Sequence, residues 1–505
     1  MKKHSGKRRL AKFGTLLIVL TCVLSLAACG SKVKENTVLS ADDVAGKTVG
    51  VQLGTTGDTF VSDLETDGSN TKVERFNKGA DAVQALKQGK IDCVIIDEQP
   101  ALKFAGSNSD LKVLDEEYAD EEYAIAFAKG NSLRMEIDGA LEELKSDGTL
   151  DKILSNYVGE EIGQHPYVSE NNGSKGTLTM ATNAYFPPYE YYDNGKVTGI
   201  DADIAQAFCD KLGYKLVIED MEFDSIITAV STGKVDFGMA GMSVTEERKQ
   251  NVDFSVSYAQ SKQSILVRDP EAAAAASSFS AKFKADFLDD ARYNYILKGL
   301  VNTLIITVFA ALIGIVIGFV TAMIRSAYAY TGKPKFLNLL ATLYITIIRG
   351  TPTMVQLLIM YYVIFASVNA SKILVAVLAF GLNSGAYVSE IFRSGIMSID
   401  KGQTEAARSL GLPYGKTMRF VILPQAFKNV LPALANEAIV LLKETSISGY
   451  IGLNDMTRGG DIIRSITYDA MFPLFGVALI YLVLVVVLSG LVSKLERRLR
   501  ANERK

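Results

Sequence analysis

The chain of 505 residues carries one stretch with the residue types of a phosphate site: Glu405 to Thr417, EAARSLGLPYGKT. A phosphate-cradling loop wraps its ligand in backbone amides. It needs the spacing G-x-x-x-x-G-K-[ST], with a strand before it and a helix after. Here three residues part Gly411 from Gly415, and no β-rich run precedes them. The collar of amides is one residue short, so no nucleotide is expected there. No metal-ligand cluster or nucleophile–base set stands out elsewhere. The chain is therefore not read as an enzyme, and it implies neither cofactor nor metal.

Cys29 is a second chemical candidate. The first 29 residues start with Lys2, Lys3, Lys7, Arg8, Arg9 and Lys12 and continue in an apolar run from Phe13 to Leu26. That run is too short for a comfortable membrane span and ends in small residues, the form of a secretory signal. Leu26-Ala27-Ala28-Cys29 resembles a bacterial lipobox, in which Cys29 is lipidated and becomes the new N-terminus. An uncleaved anchor is the alternative, and in either case the next segment is exported. Cys22 falls in the signal, and Cys93 (IDCVIID) and Cys209 (IAQAFCDKLG) lie singly in apolar settings, as core fillers do.

Charge divides the chain sharply. Residues 1–30 carry +6, residues 31–270 carry −19 and residues 271–505 carry +10, for a net −3. The basic third is also the apolar third, which reads as membrane spans with positive cytoplasmic loops rather than as a nucleic-acid surface.

Residues 38–165 and 176–268 each alternate strand and helix patterns. KTVGVQL, GADAVQALKQG and IDCVIID occur in the first, and TLTMATN, GIDADIAQAFCDKLG and FDSIITAVSTG in the second. Such alternation predicts α/β lobes with mainly parallel sheets. Residues 166–175 form a polar linker, and 269–297 a second linker with a helix. In that helix Phe279, Phe283 and Phe287 recur every four residues, as on an interfacial helix.

FPPYE (186–190), VTEERKQNVDFS (244–255), GKTVGVQLGTTGD (46–58) and GKIDCVIIDE (89–98) resemble the polar amino acid-binding proteins of bacterial ABC importers. The resemblance implies a bilobal, periplasmic-binding-protein-like (type II) receptor, here with the lobe-two half ahead of the lobe-one half, as in a circular permutation or in a tandem receptor that lost its outer halves. An amino acid ligand needs a planar fork of donors for its carboxylate, a buried acid for its ammonium and an apolar wall. At matching motif positions the resemblance implies Arg248 for the fork and Asp97 for the ammonium. Thr55 and Thr56, between a strand and a helix start, favour an anion. Ser243, just after Gly241, offers a hydroxyl, and Phe186 and Phe223 sandwich the ligand. Asn183 stands where relatives often place an Asp. Its neutral amide weighs against a cationic substrate and favours a glutamine-like one, with asparagine, glutamate and cystine left open.

Apolar stretches at 300–324, 336–366, 373–392, 431–451 and 472–492 are long enough to span a bilayer. The long second stretch counts as one tilted span. Five spans then put 325–335, 393–430 and 493–505, all basic, in the cytoplasm. Glu437, Lys443 and Glu444 fall inside the fourth stretch, where charges face a bundle interior or a pathway. The stretch quoted at the outset lands in the largest cytoplasmic loop. There Glu405-Ala406-Ala407, Gly411 and Val421-Ile422-Leu423-Pro424 resemble the EAA signature of ABC importer permeases, with Val421 where the family usually has Ile. RGTPTMVQLL, AYVSEIFRSGI and LLKETSISGYI add to the likeness, which covers 290–495. It implies an all-α, five-span type I importer domain over 298–505. The EAA helix would dock on a separate cytoplasmic ATPase, and the permease would pair as a homodimer in the membrane lipid. A ligand-gated channel or sensor built on the same receptor is the rival reading.

Overall fold

The computed structural model describes residues 36–169, 173–269, 279–366, 368 and 370–501. Cys29 with the whole signal segment, residues 170–172 of the first linker and residues 270–278 of the second lie outside the described residues.

Two lobes form from one chain that crosses between them twice. The first holds β1 (Thr48–Gln52), β2 (Lys72–Phe76), β3 (Cys93–Asp97) and β4 (Leu111–Tyr123). The chain then crosses into the second lobe with β5 (Ala126–Ala128) and β6 (Gly176–Thr182). A small hairpin sheet follows: β7 (Tyr185–Phe186), β8 (Glu190–Asp193) and β9 (Lys196–Thr198). After β10 (Tyr214–Asp220), β11 (Phe237–Gly238) and β12 (Val252–Phe254), the chain returns to the first lobe in β13 (Ala259–Arg268). The sheet orders are β2-β1-β3-β13-β4 and β10-β6-β11-β5-β12. Each sheet is mixed, not mainly parallel. β1 pairs in parallel with β2 and β3, but β13 runs antiparallel to β3 and β4, and β5 runs antiparallel to β11 and β12. The antiparallel strands flank the crossings. β5 enters the second lobe and β13 re-enters the first from the other lobe rather than through a helical crossover within one sheet, so neither is constrained to run parallel to its neighbours.

Three helices of the lobes bear on function: α1 (Thr56–Thr66), α2 (Gly79–Lys87) and α3 (Phe223–Ser231). Thr55 caps α1, its hydroxyl accepting from the Asp58 amide, so the turn after β1 is fixed where the lobes meet. Cys93 and Cys209 are buried, and burial pushes both thiols up to about 12.

The helical region comprises α4 (Tyr293–Thr331), α5 (Lys335–Gly350), α6 (Thr353–Ile359), α7 (Lys372–Met397), α8 (Lys401–Ser409), α9 (Leu423–Glu444), α10 (Met456–Thr467) and α11 (Met471–Ala501). Among the described residues α4, α7 and α11 are each long and apolar enough to cross a membrane. α4 and α7 pack through small residues. A Cβ on Gly318 would lie 2.5 Å from Val388, and one on Gly381 2.8 Å from Ile313. The stretch 336–366 is not one tilted helix: α5 and the helical segment from Thr353 to Ile364 are bent by 108°. The break falls at Arg349-Gly350-Thr351-Pro352, because proline lacks an N–H and pushes the residue before it out of the helical region. α9 carries Glu437, Lys443 and Glu444 and an internal Pro432, and Glu437 accepts a 3.1 Å hydrogen bond from Ser384 of α7. The helix at Phe279–Phe283 is only five residues long and leans on α11, with Phe279 and Phe283 both edge-on to Phe472. A protein neighbour, rather than solvent or lipid alone, thus takes part of that aromatic face.

The lobes are seated on α10. Arg458 is 2% exposed and pairs with Asp220 and, at 3.6 Å, with Glu222 of the second lobe. From the first lobe, Lys78 reaches Asp461 at 3.1 Å and Asp81 reaches Arg464 at 2.9 Å. Nearby, Lys372 at the start of α7 pairs with Glu219. The approach is so close that a Cβ on Gly452 (φ +66°) would lie 1.7 Å from the Asp220 carbonyl oxygen. Only glycine fits there.

Candidate functional site

The cleft between the lobes is lined by Thr55, Thr56, Asp97, Asn183, Phe186, Phe223, Gly241, Ser243 and Arg248, together with Gln52 and Ala240. All nine residues singled out from the sequence therefore come together at one place, drawn from both lobes. The backbone explains their convergence. Thr55 and Thr56 lie where β1 ends and α1 begins, and Asp97 is the last residue of β3. Asn183 follows β6, Phe186 ends β7 and Phe223 opens α3. The lobes meet closely, and the free space in the cleft is ≈ 10 Å³. A small molecule would fit there only if the lobes parted.

Contacts cross the cleft at several points. Gln52 Nε2 donates to Asn183 Oδ1 at 3.2 Å, and the hydroxyls of Thr56 and Ser243 lie 3.4 Å apart. Arg248 donates through one terminal nitrogen to the Ser243 carbonyl at 2.6 Å and through the other to the Gly54 carbonyl at 2.8 Å. Its guanidinium also lies 5.3 Å from the centre of the Phe223 ring. The backbone of Gly241 (φ +51°) takes a conformation that suits glycine, and a Cβ there would come within 2.9 Å of the Phe186 ring. Its amide donates to Asp201 at 2.8 Å, which fixes the turn. Burial pushes Asp201 up to about 6 against the pull of that amide and of the Tyr258 hydroxyl.

Asp97 is the electrostatic centre. It accepts from the Tyr123 hydroxyl and from Gln263 Nε2 at 2.5 Å. Burial first, and then the charge of Glu121, hold it well above the usual carboxylate range. Glu121 and Gln263 were not among the residues expected from the sequence, nor was Gln52. The first two sit on the hinge strands β4 and β13, and Glu121 in EEY reads as one more acid of a surface strand. Gln52 ends the strand VGVQL just before GTTGD, and that place alone could have marked it.

Against known families, the model of bacterial extracellular solute-binding proteins, family 3, matches residues 178–410. The arginine transport system permease protein ArtQ of Bacillus subtilis is 43% identical over 211 residues, which is 41% of this chain and 94% of that protein. The chain belongs to the polar amino acid ABC permeases, fused to a solute-binding domain. The glutamine transport system permease protein GlnP of Escherichia coli K12 is 36% identical over 208 residues, 41% of this chain and 93% of its own length. The crystal structure of an amino acid ABC transporter with histidines shares 44% identity over 42% of this chain and 98% of that one, with a TM-score of 0.39. These relatives are transport proteins, and the chain is not an enzyme.

In the permease portion, Glu405, Ala406 and Ala407 lie on α8, with Glu405 and Ala406 exposed and Ala407 buried. Gly411 follows in the left-handed region (φ +84°) with nothing within 4 Å of where a Cβ would be. GLPYGKT is a turn ending in a four-residue helix, Tyr414–Thr417, without a strand ahead of it. A second cavity, ≈ 500 Å³, opens between helices, with Arg349, Tyr387, Asn429 and Glu437 among its lining.

Proposed function

We propose that the chain is the combined receptor and permease subunit of an amino acid importer driven by a separate cytoplasmic ATPase. The observation that carries this reading is the joining of two parts in one chain. One is a cleft with an Arg fork, a buried acid and aromatic walls. The other is a helical domain that shares over a third of its residues with arginine and glutamine permeases. The substrate is a polar L-amino acid, with a glutamine-like one favoured, because Asn183 and Gln52 offer neutral amides where a cationic side chain would need an acid. Arg248 takes the α-carboxylate and Asp97 the ammonium, while Phe186 and Phe223 sandwich the ligand. Thr55, Thr56, Gly241 and Ser243 supply the remaining polar contacts. We read the order of the receptor segments as a circular permutation.

The permease crosses the membrane five times, with α5 and the bent segment after it counted once and α9 as the fourth span. The receptor then lies outside, and Cys29 carries lipid in the outer leaflet. Two permeases pair, and each presents Glu405, Ala406, Ala407 and Gly411 to an ATPase subunit. The test is a binding screen of the purified full chain against the twenty amino acids and cystine, followed by uptake in vesicles with and without the co-purified ATPase. Uptake that runs on ATP only with the ATPase present is the expected result. A selective ion current in its place would refute the importer reading.

A further inference from the structure

Gln263 Nε2 lies 2.5 Å from Asp97 Oδ1 and 3.2 Å from Glu121 Oε2, so one amide nitrogen is held between two carboxylates. The same nitrogen is 3.4 Å from the Thr56 hydroxyl, which gives its two hydrogens three acceptors. Ser243 donates to Glu121 Oε2 at 2.8 Å, yet Glu121 Oε1 is buried and has no hydrogen-bond partner among the described residues. Glu121 is only 8% exposed. The fixed cation nearest in effect is Arg248, which acts on both acids while its terminal nitrogens bond carbonyls. The other titratable groups around the pair give no relief. Tyr123 (β4) and Tyr189 bring only phenol hydroxyls, and Glu190 (β8) and Asp201 are further acids. On the outer side of Glu121 stand Glu98 and Glu122, with Lys249 and Lys262 across the groove.

In the free receptor two mostly buried carboxylates share one amide nitrogen and face one guanidinium, and such a like-charged pair is relieved when one of the two holds a proton. A zwitterionic ligand adds no net charge, but it sets its ammonium against the two acids and its carboxylate against Arg248, so that at the acids the ammonium stands in for the proton. A cationic side chain would find at the far end of the cleft only the Gln52 and Asn183 amides, already bonded to each other.

We propose that Glu121 is a second acid of the ammonium subsite, that Asp97 carries a proton in the free receptor, and that the ammonium of an arriving neutral amino acid displaces it. The Asp97 carboxyl gives its proton to solvent, the Gln263 amide gives way, the ligand's ammonium takes its place between the two carboxylates, and capture releases one proton. This rests on the amino acid reading above. Burial and the charge of Glu121, which hold Asp97 well above the usual range, agree with it. The sign follows: the binding form is the deprotonated one, so affinity rises with pH, by at most about tenfold per pH unit while Asp97 is protonated in the free receptor.

The test uses the full-length chain in detergent, titrated with L-glutamine by calorimetry at about pH 6, 7 and 8, each in two buffers of different protonation heat. The expected result is a buffer-dependent heat equivalent to close to one proton released, with affinity rising between the two lower pH values. Glu121→Gln should lower both the release and the pH slope. Equal heats in the two buffers with the native chain would overturn the proposal while leaving amino acid capture intact, and that comparison needs no variant. L-arginine bound more tightly than L-glutamine with no proton released would also overturn it, because the substrate would then supply the missing charge. If none of the twenty amino acids binds, the functional reading itself fails, and the proposal with it.

Discussion

Replacing Arg248 with alanine should weaken capture of the amino acid severely. A guanidinium carries five N–H groups. Two are engaged by the Ser243 and Gly54 carbonyls, which leaves three to meet a carboxylate. The Gly54 bond also ties the segment between β11 and β12, which belongs to the second lobe, to the first. The substitution therefore removes a ligand contact and one clasp between the lobes together. Truncating one partner of a desolvated, hydrogen-bonded charge pair costs roughly 2–5 kcal/mol. At about 1.4 kcal/mol per decade, the dissociation constant should rise on the order of 30-fold to several-thousandfold. Arg248→Lys keeps the charge but loses the fork and should fall between native and alanine. Calorimetry on the full chain with the amino acid found in the binding screen reads the effect, and a melting curve for each variant separates lost binding from lost folding. An Arg248→Ala chain that melts like the native one and binds as tightly would refute the assignment of the fork.

Gly411→Val forces a β-branched residue into φ +84° on an exposed turn. It should abolish co-purification of the ATPase while ligand affinity stays within about twofold, since the turn is remote from the cleft. Arg458→Ala strands Asp220 and Glu222 under α10. Loss of one partner of a buried pair costs about 3–5 kcal/mol, so the lobes should detach from the helical domain, seen as faster proteolysis between them. Cys29→Ala should eliminate the lipid-modified N-terminal peptide in mass spectrometry, and uptake should persist because the helical domain still holds the chain in the membrane.

The cleft was legible because its residues stand in compact local patterns. VIID, FPPYE and VTEERK each put a charged or aromatic side chain at the end of an element, and element ends are where two lobes meet. Glu121 and Gln263 were not legible, because 142 positions separate them and their meeting depends on two hinge strands pairing. The Arg458–Asp220 pair spans 238 positions and has no local signature. The apolar count over 336–366 identified the right material for the membrane but was blind to the 108° bend. Hydropathy averages over a window, and one Pro352 decides the path within it. The mixed sheets escaped notice for a related reason. Short strands such as Ala126–Ala128 and Phe237–Gly238 are too brief to show a period.

The seating of both lobes on α10 has a consequence for how the two halves of the molecule answer each other. Lys78 and Asp81 belong to one lobe, Asp220 and Glu222 to the other, and all four find their counter-charges on a helix of only 12 residues. Parting the lobes stretches one set of these pairs, and shifting α10 strains both. Ligand affinity and the balance of helix arrangements are then linked functions. If one arrangement of the helices tightens capture by some factor, capture favours that arrangement by the same factor. The affinity measured on the whole chain is thus a property of the membrane helices as well as of the cleft, and a value taken from the severed lobes would describe a different equilibrium.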